Sequence, residues 1–143
     1  ICAGKIDNWK AVGGEDRKTS LYSRDEASGT REVFWEKGLK KGEVSSKANV
    51  VVSNGAMKTA IAQDPAGIGY VSVGHIDPTV AAVAVDGVAP THETITSGKY
   101  SIARGLYSNT KGEPAGLTKK FIEFLYTADG QKIISANGFI PLK

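Results

Sequence analysis

The chain is poor in several features that would announce a function. Among its 143 residues Cys2 is the only cysteine, which excludes a disulfide framework and a thiolate metal cluster. The two histidines, His75 and His92, lack the close spacing of a shared zinc site and read as loop or strand-end residues. No metal or other cofactor is therefore expected. No apolar run approaches the roughly 20 residues that a membrane-spanning helix needs. Neither sign of charge dominates. The formal balance is +3, and Lys5, Lys10, Arg17, Lys18, Lys37, Lys40 and Lys41 alternate with acids and loops, giving a solvated surface and no track for nucleic acid. A Gly-x-x-x-x-Gly-Lys-Ser/Thr loop, internal repeats and low-complexity stretches are missing too. The opening Ile1-Cys2-Ala3-Gly4 shows no export leader, as expected of a trimmed exported chain or of an excised fragment. Cys2 reads as a small buried residue, with a lipid anchor as the alternative.

What is present is an ordinary globular composition, 41% hydrophobic and 23% charged, in a length that suits one core. Residues 5–10 read as a helix end or turn with Trp9 packing, and Gly13-Gly14 breaks the chain. Leu21-Tyr22-Ser23 is a short strand, and a helix from about Thr30 to Lys37 follows, closed by Gly38. The β-branched run Asn49-Val50-Val51-Val52 predicts a buried strand. Ser53-Asn54-Gly55 opens the next helix, with Met57, Ala60 and Ile61 on one face and Asp64-Pro65 as its stop. Ile68 to Val73 is again a strand. Asp86-Gly87 predicts a two-residue hairpin turn between Val80–Val85 and Val88, and Thr91 to Ser97 a short helix closed by Gly98. Tyr100 to Tyr107 reads as extended. Leu117, Phe121, Phe124 and Leu125 mark an amphipathic helix, and Asp129 to Ala136 a last one ending at Asn137-Gly138. Strand, capped helix and strand in repetition predict an α/β fold of three layers, a sheet with flanking helices.

The chemistry concentrates in Ser23-Arg24-Asp25-Glu26-Ala27-Ser28-Gly29-Thr30-Arg31. Ser28 suits a helix N-cap, Gly29 permits close approach of a ligand to the backbone, and Thr30 adds a hydroxyl. First-turn amides lack intrahelical acceptors and carry the positive end of the helix dipole, so they suit an anion. Arg24 adds a rigid fork of charged donors. The competing readings are a plain helix cap and, for Arg24, a surface ion pair with Asp25 or Glu26. Asn54, at the second capped helix, is read either as capping chemistry or as a second group facing the same ligand. Arg31 opposes the helix dipole unless an anion is near.

Arg24, Ser28, Gly29 and Thr30, spaced as Arg-x-x-x-Ser-Gly-Thr, resemble the anion-binding signature of the periplasmic phosphate-binding proteins of ABC uptake systems. Three further stretches are similar to the same family, in its order: Gly4-Lys5-Ile6-Asp7-Asn8-Trp9, Gly67-Ile68-Gly69-Tyr70-Val71, and Gly130-Gln131-Lys132-Ile133-Ile134 through Gly138-Phe139-Ile140-Pro141-Leu142. The resemblance implies one lobe of a type II two-lobed fold. It implies phosphate contacts from Arg24, Ser28, Gly29 and Thr30, no catalysis, and a periplasmic or extracellular-face location. Glu26 is expected to orient the Arg24 guanidinium, and Asn54 to support the site. Residues 1–98 would be the second, anion-binding lobe. Residues 99–143 would be a returning hinge strand and C-terminal helices of a first lobe that is otherwise missing. That lobe would come in cis, the present chain then being a fragment, or from another chain, or the chain is a naturally short relative. The implied partners are inorganic phosphate and a membrane permease, with no nucleic acid. Sulfate or molybdate binding, and phosphoester processing through Ser28 or Thr30, are the alternatives.

Overall fold

The structure, a computed structural model, describes residues 1–141; Leu142, which ends the C-terminal signature, and Lys143 lie outside the described residues. Two compact units divide the chain, Ile1–Ala103 and Arg104–Lys143.

The first unit is built on three parallel strands. β1 (Ser20–Arg24) is central, flanked by β2 (Asn49–Val51) and β3 (Gly67–Ile68) in the order β2-β1-β3. Two helices make the crossovers. α1 (Gly29–Val33) leads from β1 to β2 and continues without a break as a π-helical turn, Phe34–Gly38. α2 (Asn54–Gln63) leads from β2 across β1 to β3. The crossovers run in opposite directions along the sheet, and right-handed connections of that kind put their helices on opposite faces. Gly69 and Tyr70, just past β3, show both faces at once. A Cβ on Gly69 would lie 2.5 Å from Met57 Sδ of α2, whereas the Tyr70 ring stacks on Phe34 beyond α1. Met57 is fully buried and forms the centre of the core together with Ala66.

Several expected elements change length or role. β2 is not buried: Val50 is 64% exposed, and Val52, just past its end, 80%. β2 is one of the two edge strands, and α2 packs over β1 and β3 instead. β3 ends at Ile68 and gives way to irregular chain and a 3-10 turn, Val73–His75, so the strand expected through Val73 is not formed. Gly38 is not a left-handed helix stop. It lies inside the π-turn, where a side chain would press on Phe34 and Ile102, and the left-handed residues are Lys40 and Lys41 beyond it. Residues 100–107 join no ladder among the described residues, because an extended segment becomes a strand only against a partner edge.

The local signals at caps and turns hold well. Ser53 accepts from the Ala56 amide, and Thr91 forms a capping box with Thr94 at α3 (His92–Thr96). Val85 and Val88 bridge across Asp86-Gly87, both with positive φ as a type I′ turn requires. Trp9, opening a short 3-10 turn, donates from Nε1 to the Ala66 carbonyl at 3.0 Å.

The second unit holds α4 (Gly116–Leu125) and α5 (Ala128–Ala136), joined by a two-residue turn. They approach so closely at Gly130 that a Cβ there would collide with the Phe124 carbonyl. Leu117 and Phe121 of α4 are 84% and 60% exposed, so the apolar stripe legible in the sequence is not consumed by packing.

Candidate functional site

Both α1 and α2 start where a parallel strand ends, which brings their N-termini to the same edge of the sheet. That edge, outside the carboxyl ends of strands whose connections diverge, is where open α/β sheets carry ligands. β1 ends at Arg24, and a tight turn delivers the chain to α1. Asp25 builds that turn: its Oδ1 accepts from the Ala27 amide at 3.1 Å, and its carbonyl from the Ser28 amide at 3.2 Å. Ser28 is buried and accepts from the Arg31 amide at 3.2 Å, while its carbonyl takes the Glu32 amide. The Gly29 and Thr30 amides occupy the first turn, where helix geometry supplies no acceptor.

Arg24 forms an ion pair with Asp25, but it is more than a surface pair. Its side chain is only 12% exposed, and the Asp25 carboxylate stands 3.9 Å from Nε, beyond hydrogen-bond reach. Nη2 donates to the Val52 carbonyl at 3.1 Å and Nη1 to Asn54 Oδ1 at 3.4 Å. Asn54 is itself held, donating to Ser72 Oγ at 3.2 Å. Two of the five guanidinium donors are thus used, and Nε is buried without a hydrogen-bond acceptor. A buried, charged donor in that condition is costly unless an acceptor completes it.

One expectation changes here. Glu26 does not orient Arg24: its side chain is 92% exposed and its carboxylate lies 4.0 Å from Arg31. The acid two residues past the arginine is carried outward by the turn that Asp25 forms. Asn54 takes the orienting part, leaving the capping of α2 to Ser53. A surface depression beside Ser28, lined by Glu26, Ala27, Ser28, Arg31, Glu32 and Trp35, does not include Arg24. Its two carboxylates make it unsuited to an anion.

The turn at Asp25 was readable from an aspartate opening a break between strand and helix. The contact of Tyr70 with Ser23 and Arg24 had no sequence signal beyond its place in the glycine-punctuated segment.

A parallel sheet whose strand ends open onto a capped helix start and a half-anchored arginine gathers backbone and side-chain donors at one edge of an α/β fold. The PBP superfamily domain matches residues 1–129, and the chain belongs to that family, with the fold of a type II periplasmic binding protein. It is 39% identical over 144 residues to the phosphate-binding protein PstS of Bacillus subtilis, covering 99% of this chain and 48% of that protein. A phosphate ABC transporter substrate-binding protein from Clostridium perfringens, solved with bound phosphate, superposes with a TM-score of 0.90 at 34% identity, over all of this chain and 60% of that one. An ABC-type phosphate transport receptor from Vibrio cholerae gives 0.77 at 34% identity, over 98% of this chain and 59% of that one. The chain spans about half the length of the curated relatives it matches.

Proposed function

We propose that this chain binds inorganic phosphate outside the cytoplasm for delivery to an ABC transporter, without acting on it chemically. The observation that carries this reading is the Arg24 guanidinium at the edge where α1 begins, fixed at two corners by Val52 and Asn54, its buried Nε making no hydrogen bond and only a 3.9 Å ion pair with Asp25. A tetrahedral oxyanion there accepts from Arg24, from the Gly29 and Thr30 amides and from the Ser28 or Thr30 hydroxyl, replacing its hydration shell with aimed donors. The names of the relatives point to the same ligand.

Donors alone do not separate phosphate from sulfate. Phosphate near neutral pH keeps a proton that sulfate lacks, and telling the two apart takes an acceptor facing that proton. We assign that acceptor to a first lobe, with residues 1–98 forming the anion-binding lobe and residues 99–143 the returning segment and helices of the other. The exposed stripe of α4 is the surface that such a lobe would cover, and docking on a permease would need both lobes closed on the ligand. By itself the chain binds weakly, in the millimolar range or above, and accepts sulfate in the same place.

Equilibrium dialysis with labelled phosphate, with sulfate as competitor, tests this. Weak saturable binding that sulfate displaces and Arg24→Ala abolishes is the expected result. Binding unaffected by Arg24→Ala would overturn the site, and micromolar, phosphate-selective binding would overturn the need for a second lobe. Turnover of a generic phosphoester would favour the enzymatic alternative.

A further inference from the structure

The central strand loses one neighbour before it reaches the site. β3 pairs with β1 only through Ser20–Gly67 and Leu21–Ile68, whereas β2 follows β1 as far as Arg24. A side chain continues where β3 stops. Tyr70 Oη accepts from the Arg24 amide at 3.0 Å and shares a hydrogen bond with Ser23 Oγ at 2.9 Å. Ser23 is 3% exposed, and its hydroxyl lies 3.4 Å from the Arg24 carbonyl. With each hydroxyl donating onward, the bonds close a ring: Arg24 N–H to Tyr70, Tyr70 to Ser23, Ser23 back to the Arg24 carbonyl. Both backbone groups of Arg24 are held by that ring.

The other end of Tyr70 reaches the helix. Its ring stacks on Phe34 with centroids 4.2 Å apart and planes 15° from parallel. Phe34 directly continues α1, the helix whose first turn carries the Gly29 and Thr30 amides. Tyr70 therefore touches both halves of the site, the residue that bears the guanidinium and the helix that bears the amides.

We propose that Tyr70 is a positioning residue for anion binding, setting the Arg24 main chain against the α1 start by a hydroxyl grip at one end and a ring stack at the other. This rests on the reading that Arg24 and α1 face one ligand. Hydrogen bonds of this kind contribute modestly, so loss of the hydroxyl should weaken phosphate binding by about 3- to 10-fold.

The test compares the 143-residue chain with Tyr70→Phe, which keeps the stack and removes the grip. Phosphate affinity is read by titration well below the melting transition, and exchange of the Arg24 amide proton is followed by NMR. The expected result is a folded variant with weaker phosphate binding and faster exchange at Arg24. A purely structural role would lower the melting temperature and leave affinity at low temperature untouched; that outcome, or unchanged affinity with Arg24 still protected, overturns the proposal. Ser23→Ala breaks the same ring from the other side and carries the same test if Tyr70→Phe does not fold. Absence of phosphate binding by the unmutated chain would remove the anion site itself, and the Tyr70 assignment with it. It is distinguishable because it is seen before any substitution.

Discussion

α1 and α2 begin alike and serve differently. Each follows a parallel strand, and each has a serine cap whose hydroxyl accepts from the amide three residues on. Ser28 is buried and Ser53 exposed. After Ser28 come Gly29 and Thr30, first-turn residues whose amides have no intrahelical acceptor. After Ser53 comes Asn54, whose amide group bridges Arg24 and Ser72. Identical cap chemistry therefore does not define a binding site. What the neighbouring strand end contributes decides the role, and here Arg24 is delivered by β1 and gripped from α2.

Breaking the comparison at its shared element should have the largest effect. Arg24→Ala removes charged hydrogen bonds worth about 1.5–3 kcal/mol each, so phosphate affinity should fall by about 10- to 150-fold in titration calorimetry. The paired cap substitutions come next. Ser28→Ala and Ser53→Ala should each cost about 1 kcal/mol of stability in denaturant unfolding, as cap losses do. Only Ser28→Ala should also weaken phosphate; equal effects on affinity would erase the distinction between the two helix starts. Asn54→Ala should then reduce affinity by about 3- to 10-fold through a loosened guanidinium, one modest hydrogen bond's worth. Glu26→Gln should change nothing in the same assay.

The effect expected on pH response is small, and it too separates the helices. Asp77, which takes a 2.6 Å bond from Lys58 of α2, is held well below the usual carboxylate range, first by the Lys58 ammonium and then by Thr79. Asp64, at the end of α2, is also lowered, first by Ser20 and then by the Ala66 amide. A carboxylate with a depressed folded-state pKa adds stability that is present above its unfolded value and lost as pH falls through the folded one. Acidification below about 3.8 should therefore loosen α2 before α1 in hydrogen exchange. Asp77→Asn should flatten that response, and simultaneous loss of both helices would contradict it.

Much of this was legible in the residues. Caps, the Asp86-Gly87 turn, the α4 stripe and the Arg-x-x-x-Ser-Gly-Thr spacing are local signals, written within a few positions of where they act. The buried reading of Asn49–Val52 failed because β-branched residues announce a strand and not its place in a sheet; whether β2 lies at the edge depends on strand order. Glu26 was misplaced for a similar reason, since proximity in sequence to Arg24 says nothing of which way a turn throws a side chain. The Asn54 and Tyr70 contacts with Arg24 span 30 and 46 positions, and only the folded sheet brings them together.

The most direct measurement is an NMR titration of the isotope-labelled chain with inorganic phosphate through the millimolar range, following the Gly29 and Thr30 amides and the Arg24 Nε proton. Saturable shifts at all three, with a common midpoint and larger than any at the Ser53–Gly55 turn, are the result expected here. Signals that stay in place there while phosphate perturbs another part of the chain would contradict the site.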